Sequence, residues 1–121
     1  PSNPYESVLI LTQKDLFREF LKKNNFYVPK SASFYSFSEA KKWVNELKMP
    51  VIVKPIDSAG SKGIRKIETM DAFQSAFEYA LQFSREKKVT VEEFLVRDGY
   101  QIGGDGFIVK GQLIFFLILC Q

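Results

Sequence analysis

The 121-residue sequence predicts an α+β fold: a mostly antiparallel sheet with helices packed on one face. Three observations lead there. Helical and strand-like apolar spacings alternate through the first half of the chain, and strands joined by short turns dominate the second. Between them, an apolar strand ends in a lysine and runs directly into a loop of small residues, in the order Val51-Ile52-Val53-Lys54-Pro55-Ile56-Asp57-Ser58-Ala59-Gly60-Ser61-Lys62-Gly63.

Thr12, with Asp15 three residues on, has the form of a capping box, so the first helix is expected to start near Thr12. Leu16, Phe17, Phe20 and Leu21 would form its apolar face, Asn24-Asn25 its end, and Val28-Pro29 a block to continuation. A second helix is expected from about Ser38, with Ala40, Trp43, Val44 and Leu47 on one stripe, closed by Pro50. Residues 51–56 then read as a buried strand, because β-branched side chains crowd it. After the loop, Ile64 and Ile67 mark a short returning strand. A third helix near Thr69 would turn Phe73, Ala76, Phe77, Ala80 and Ser84 inward. Val89-Thr90-Val91 is the next strand and leads into Glu92-Glu93-Phe94-Leu95. Asp98-Gly99 signals a turn, and Phe107-Ile108-Val109, a Lys110-Gly111 turn and an apolar run from Leu113 make a hairpin.

Composition narrows the function classes. A chain that is 45% hydrophobic and 26% charged is globular, and its 12 phenylalanines make an aromatic core expected. The longest apolar run, residues 113–120, is far too short to span a bilayer, and nothing near Pro1 resembles a secretion signal. A cytoplasmic protein without a membrane partner is therefore expected. One cysteine, Cys120, excludes an internal disulfide and any cysteine-based metal cluster, and the absence of histidine excludes the common zinc sites and imidazole acid–base catalysis. A net charge of +3 suits an anionic ligand but equally an ordinary basic protein.

Chemistry concentrates around Lys54. A lysine ending an apolar strand costs free energy unless its ammonium meets an anion. The loop of residues 58–63 offers a place for one: its small side chains let backbone N–H groups approach phosphate oxygens, and Lys62 adds positive charge. The alternative is an ordinary solvated turn with a snorkelling lysine.

Taken in order, these features resemble the ATP-grasp superfamily: a lysine early in a first helix, Val-Ile-Val-Lys-Pro, a Ser/Gly loop, a strand–helix unit, Val-Glu-Glu-Phe-Leu, and a strand holding a Gly-x-Glu-like step. The loop is most similar to the branch containing carbamoyl-phosphate synthase, phosphoribosylglycinamide synthetase and biotin carboxylase. The resemblance implies ATP and Mg²⁺ as cofactors. It also implies a parent ligase that phosphorylates a carboxylate and lets an amine capture the acyl phosphate. Lys14 would face the ATP phosphates and Lys54 the α- and β-phosphates, with Ser58, Ala59, Gly60, Ser61, Lys62 and Gly63 folding over them. Glu92, Glu93, Phe94 and Leu95 would meet the adenine edge. Gln101 stands where the family has the ribose-binding glutamate, in Gly99-Tyr100-Gln101, and without a charge its contact should be weaker. No catalytic residue and no metal ligand is assigned within the segment, because the family's metal-binding side chains lie on later strands.

The chain is thus expected to be a single-domain fragment of an ATP-grasp fold, inactive alone. Its glycine-loop subdomain would cover about residues 13–91, and a second lobe would begin over residues 92–121. The uncovered run 113–120 would invite self-association. Two other nucleotide folds fit poorly. Gly60-Ser61-Lys62-Gly63 does not open a helix as a Walker loop must, and a kinase glycine loop precedes its strand lysine. A basic nucleic-acid-binding α+β module is the remaining alternative, argued from the basic balance and Gly106-Phe107-Ile108-Val109. Asp98 and Asp105 oppose it.

Overall fold

The computed structural model describes residues 4–120. Two helices, α1 (Tyr5–Thr12) and α2 (Lys14–Lys23), precede strand β1 (Ser31–Phe34) and helix α3 (Phe37–Val44). Strands β2 (Val51–Pro55) and β3 (Arg65–Ile67) flank the glycine loop. A 3-10 turn at Met70–Ala72 opens α4 (Phe73–Phe83), and β4 (Val89–Glu93) follows. Strands β5 (Ile102–Val109) and β6 (Gln112–Cys120) complete the order.

Four strands form one antiparallel sheet in the order β1-β4-β2-β3. Strand alternation gives it two unlike faces. Val51, Val53, Val89, Val91 and Ile67 point to one side, where Ala40 and Val44 of α3 and Phe73, Ala76, Phe77 and Ala80 of α4 close over them as the core. The rings of Phe37, Phe73 and Phe77 pack together with centroids 5.4–6.1 Å apart, Phe77 edge to face with both others and Phe37 tilted against Phe73. Ile52, Lys54, Thr90, Glu92, Ser31 and Ser33 point to the other side, a polar face built on cross-strand pairs such as Ile52 with Glu92 and Lys54 with Thr90. The α4 positions expected to face inward, Ser84 included, are all buried.

Two local expectations are corrected, and one strand is new. Thr12 caps no helix: it is the last residue of α1, its hydroxyl donates back to the Val8 carbonyl at 2.8 Å, and extended Gln13 separates α1 from α2. Asp15, the proposed capping partner, instead takes the Lys88 ammonium at 2.8 Å. The helix expected from about Ser38 starts at Phe37, capped by Ser36, which accepts from the Glu39 amide at 3.4 Å, but it ends at Val44, short of Leu47 and Pro50. Strand β1 carries no sequence signal of its own. Ser-Ala-Ser-Phe has weak strand propensity, and its pairing along β4, from Ser31 opposite Glu92 to Phe34 opposite Val89, makes it a strand.

Strands β5 and β6 form a separate two-stranded sheet, closed by a two-residue turn in which Lys110 and Gly111 both take positive φ, at 49° and 78°. Every residue of this hairpin is exposed, including the apolar run 113–120.

Candidate functional site

The polar face gathers several of the expected residues. Glu92 is the centre: at 7% exposure it is buried, and its two oxygens serve two cations. The Lys54 ammonium donates to Oε1, and Arg18 Nη2 of α2 donates to Oε2 at 3.2 Å. Lys14, one helical turn before Arg18, donates through Nζ to the Ser58 carbonyl at 2.8 Å and the Ile56 carbonyl at 3.3 Å. Burial first, and the nearby Lys54 charge second, push the Lys14 ammonium below its ordinary pKa. Two cations therefore hold one buried carboxylate and Lys14 lies near them, so a surplus of positive charge survives even if nearby Asp57 is counted against it.

The glycine loop is tethered at both ends. Lys14 holds its start. Asp57 adds a second tie, accepting the Arg85 amide at 2.9 Å and the Glu86 amide at 3.3 Å, so the loop is bound to the α4–β4 junction. At the far end Gly63 is buried against Pro55 and Phe83. Between these anchors Ala59, Gly60, Ser61 and Lys62 are exposed, and the Ser58 hydroxyl donates to the Lys62 carbonyl at 2.9 Å. The loop thus presents an open tip on fixed stems, beside a strand that ends in Lys54.

Burial favours protonating Asp57, but the Ser84 hydroxyl and the Arg85 and Glu86 amides outweigh it and hold the carboxyl below the usual 3.8. A depressed folded-state pKa contributes stability that is complete above the unfolded value and lost as pH falls through the folded one. The difference in urea midpoint between wild type and Asp57→Asn is therefore expected to be constant above about pH 5 and to shrink as pH drops below 3.8. A difference that persists unchanged to pH 2 would show that the charge contributes nothing. Lys88 behaves oppositely. Its bond to Asp15 raises its pKa against the cost of burial, so its contribution is intact below 10.5 and fades only above it.

The expected adenine segment divides. Glu93 does not join Glu92, because adjacent strand residues face opposite sides. Its Oε1 accepts the Lys30 amide at 3.0 Å and its own amide donates to the Lys30 carbonyl at 2.9 Å. Phe94 lies beneath Lys66, whose Nζ sits 4.3 Å from the ring centroid. Leu95 and Gln101 are exposed. Ile52 shares a cross-strand row with Glu92 and Lys66 and is half-buried on the polar face. An adjoining cleft of about 740 Å³ opens between α2, β1 and α3, and shares Arg18, Ser31, Ser33 and Thr90 with the polar face.

Sequence reasoning did not single out Arg18, Ile52 or Asp57. Arg18 had a readable signal, since it lies four residues after Lys14 and therefore on the same helical face. The other two become visible only through strand pairing and the α4–β4 junction.

Residues 20–103 match the family described as D-ala D-ala ligase C-terminus. The chain belongs to this family, within the ATP-grasp superfamily. It is 31% identical over 97 residues to phosphoribosylamine–glycine ligase of Pyrococcus horikoshii, an alignment covering 78% of this chain and 19% of that protein. It is also 31% identical over 90 residues to the N-terminal section of the carbamoyl phosphate synthase large chain of Methanopyrus kandleri, covering 74% of this chain and 16% of that one. Among solved structures, the VanG D-Ala:D-Ser ligase from Enterococcus faecalis superimposes with a TM-score of 0.76 at 28% identity, over 90% of this chain and 31% of its own. The ATP-grasp segment thus spans under a third of each of these relatives. The α+β class and the antiparallel sheet expected from the sequence agree with this membership. No described helix is long and apolar enough to cross a membrane.

Proposed function

We propose that this ATP-grasp segment supplies the ATP-binding face of a ligase that activates a carboxylate as an acyl phosphate for capture by an amine. The observation that carries the reading is the cation surplus of Lys14, Arg18 and Lys54 on one polar sheet face, beside a tethered glycine loop with an open tip. A polyphosphate would find there fixed cations and loop amides held by rigid elements. Such a site works by positioning and charge neutralisation rather than by a general base.

In this reading Lys14 and Lys54 take phosphate oxygens, and residues 58–63 close over them. Glu92, Phe94 and the Leu95 backbone meet the base, with Ile52 offering an apolar surface. Glu93 supports the segment from behind through Lys30. Gln101 toward the ribose is the remaining assignment. Mg²⁺ would supply charge neutralisation on the phosphates when bound. Among the described residues no cluster of three acidic or thiol ligands exists to hold it, so its protein ligands are assigned outside this segment.

The separation of β5–β6 from the four-stranded sheet supports a glycine-loop subdomain over about residues 13–91 and a second lobe beginning near residue 92. The exposed apolar run 113–120 supports self-association of the isolated segment. A cytoplasmic location accompanies the ATP-dependent reading, and family membership favours that reading over a nucleic-acid module.

The test is calorimetric titration of the full-length protein with ATP and with a mixed-sequence oligonucleotide, each at low and high salt. Micromolar ATP binding with modest salt dependence is expected, together with ADP release that requires a carboxylate substrate. Oligonucleotide binding that collapses with salt, without ATP binding, would overturn the proposal.

A further inference from the structure

We infer that Arg18 is a positioning residue that keeps Glu92 charge-compensated, so that Lys54 can leave the carboxylate for a phosphate. The inference rests on the ATP-binding reading above. In the structure Lys54 is not waiting free: its ammonium is bonded to Glu92 Oε1. A lysine facing a lone buried carboxylate would be held there, because withdrawing it strands an uncompensated charge. An incoming phosphate would then compete with Glu92 for the same ammonium. Arg18 changes that competition. With Nη2 on Oε2 at 3.2 Å, it leaves Glu92 a charged donor after Lys54 has turned away.

The residue type and its placement fit the role. A guanidinium stays protonated at any working pH and holds a carboxylate in a fixed geometry, whereas the ammonium of Lys54 rotates freely on a flexible stem. The two cations occupy different oxygens, so one can depart without disturbing the other. Arg18 also sits on the helix whose Lys14 holds the Ile56 and Ser58 carbonyls at the loop's start. Placement of α2 therefore sets the loop stem and the Glu92 counter-charge together.

Calorimetry on the full-length protein tests this with two probes, ATP and inorganic tripolyphosphate. The second has no base, so it reads the cations without any contact between Glu92 and adenine. Failure of the wild-type protein to bind ATP would remove the underlying reading, and this inference with it, before any variant is made. Where the wild type binds, Arg18→Met is expected to weaken tripolyphosphate binding by about tenfold or more. Arg18→Lys should recover most of the loss. Arg18→Met combined with Glu92→Gln should return to within about threefold of wild type, because Lys54 no longer has a carboxylate to neutralise. An unchanged single variant would overturn the inference. A double variant as weak as the single one would also overturn it, making Arg18 a direct phosphate ligand. If Arg18→Met does not fold, Glu92→Gln alone decides: it should bind tripolyphosphate at least as tightly as wild type, and weaker binding overturns the role.

Discussion

Lys54→Met in the full-length protein is expected to weaken ATP binding roughly 10- to 150-fold, the equivalent of about 1.5–3 kcal/mol for one charge-assisted hydrogen bond. The methionine keeps most of the aliphatic stem, so packing on the strand changes little. Stability, however, should fall. Lys54 is one of two cations on the buried Glu92, and its loss leaves Arg18 as the only compensation. Breaking a buried pair outright costs about 3–5 kcal/mol, and the remaining guanidinium should keep the loss below that range. The two effects separate in the double variant Lys54→Met/Glu92→Gln. Removing the carboxylate should restore the thermal midpoint and leave the affinity for tripolyphosphate, which has no base to meet Glu92, low, because the phosphate ligand is still missing. If affinity returns together with stability, Lys54 is structural and its phosphate role is wrong.

The second large effect is expected at Gly63. This residue ends the loop with φ at +75°, and a Cβ there would lie 2.6 Å from Pro55 Cγ and 3.0 Å from two Phe83 atoms. Both neighbours belong to regular elements, β2 and α4, and Pro55 is fully buried, so the closest contact cannot be relieved without moving the strand end. Left-handed backbone costs an alanine about 1–2 kcal/mol, and overpacking adds about 1–3 kcal/mol. Gly63→Ala should therefore lower stability by about 2–5 kcal/mol, a fall in Tm on the order of 10 °C or more. Gly60→Ala is the matched control. Its φ is +69° but nothing lies within 4 Å of the added carbon, so only the backbone cost applies. Equal losses in the two variants would show that the contact with Pro55 and Phe83 is not what demands glycine. In ATP binding the order should reverse if the exposed tip meets the nucleotide, since Gly60 lies in the tip and Gly63 in the stem.

The core was legible in the sequence because its periods were strong. Phe73, Ala76, Phe77, Ala80 and Ser84 repeat at helical spacing and are buried as a set, and the β-branched run from Val51 marked a strand whose valines are fully buried, although its two faces differ only in the structure. The hairpin turn was readable from Lys110-Gly111, which supplies the positive φ values that a two-residue connection needs. Of three features that were missed or misplaced, two are decided by partners distant in sequence and one, at Thr12, by a local side-chain bond. Strand β1 forms because β4 offers it a ladder. Thr12 ends a helix because its hydroxyl finds the Val8 carbonyl. Asp15 goes to Lys88, and not to a cap, because the start of β4 lies beside α2.

The site divides along the same line. Residue type marked Lys54 and the Ser/Gly loop as an anion site, against the alternative of a solvated turn, and Lys14 entered only through the family resemblance. That Glu92 lies between Lys54 and Arg18, while its neighbour Glu93 turns to Lys30, was set by the registers of β1, β4 and β2 and by the placement of α2 beside them. Residue type and local spacing determined which groups carry charge and where the chain turns. Only the tertiary structure decided which charges meet, because a buried carboxylate takes the cations that strand pairing and helix placement bring to it, from 38 and 74 residues away.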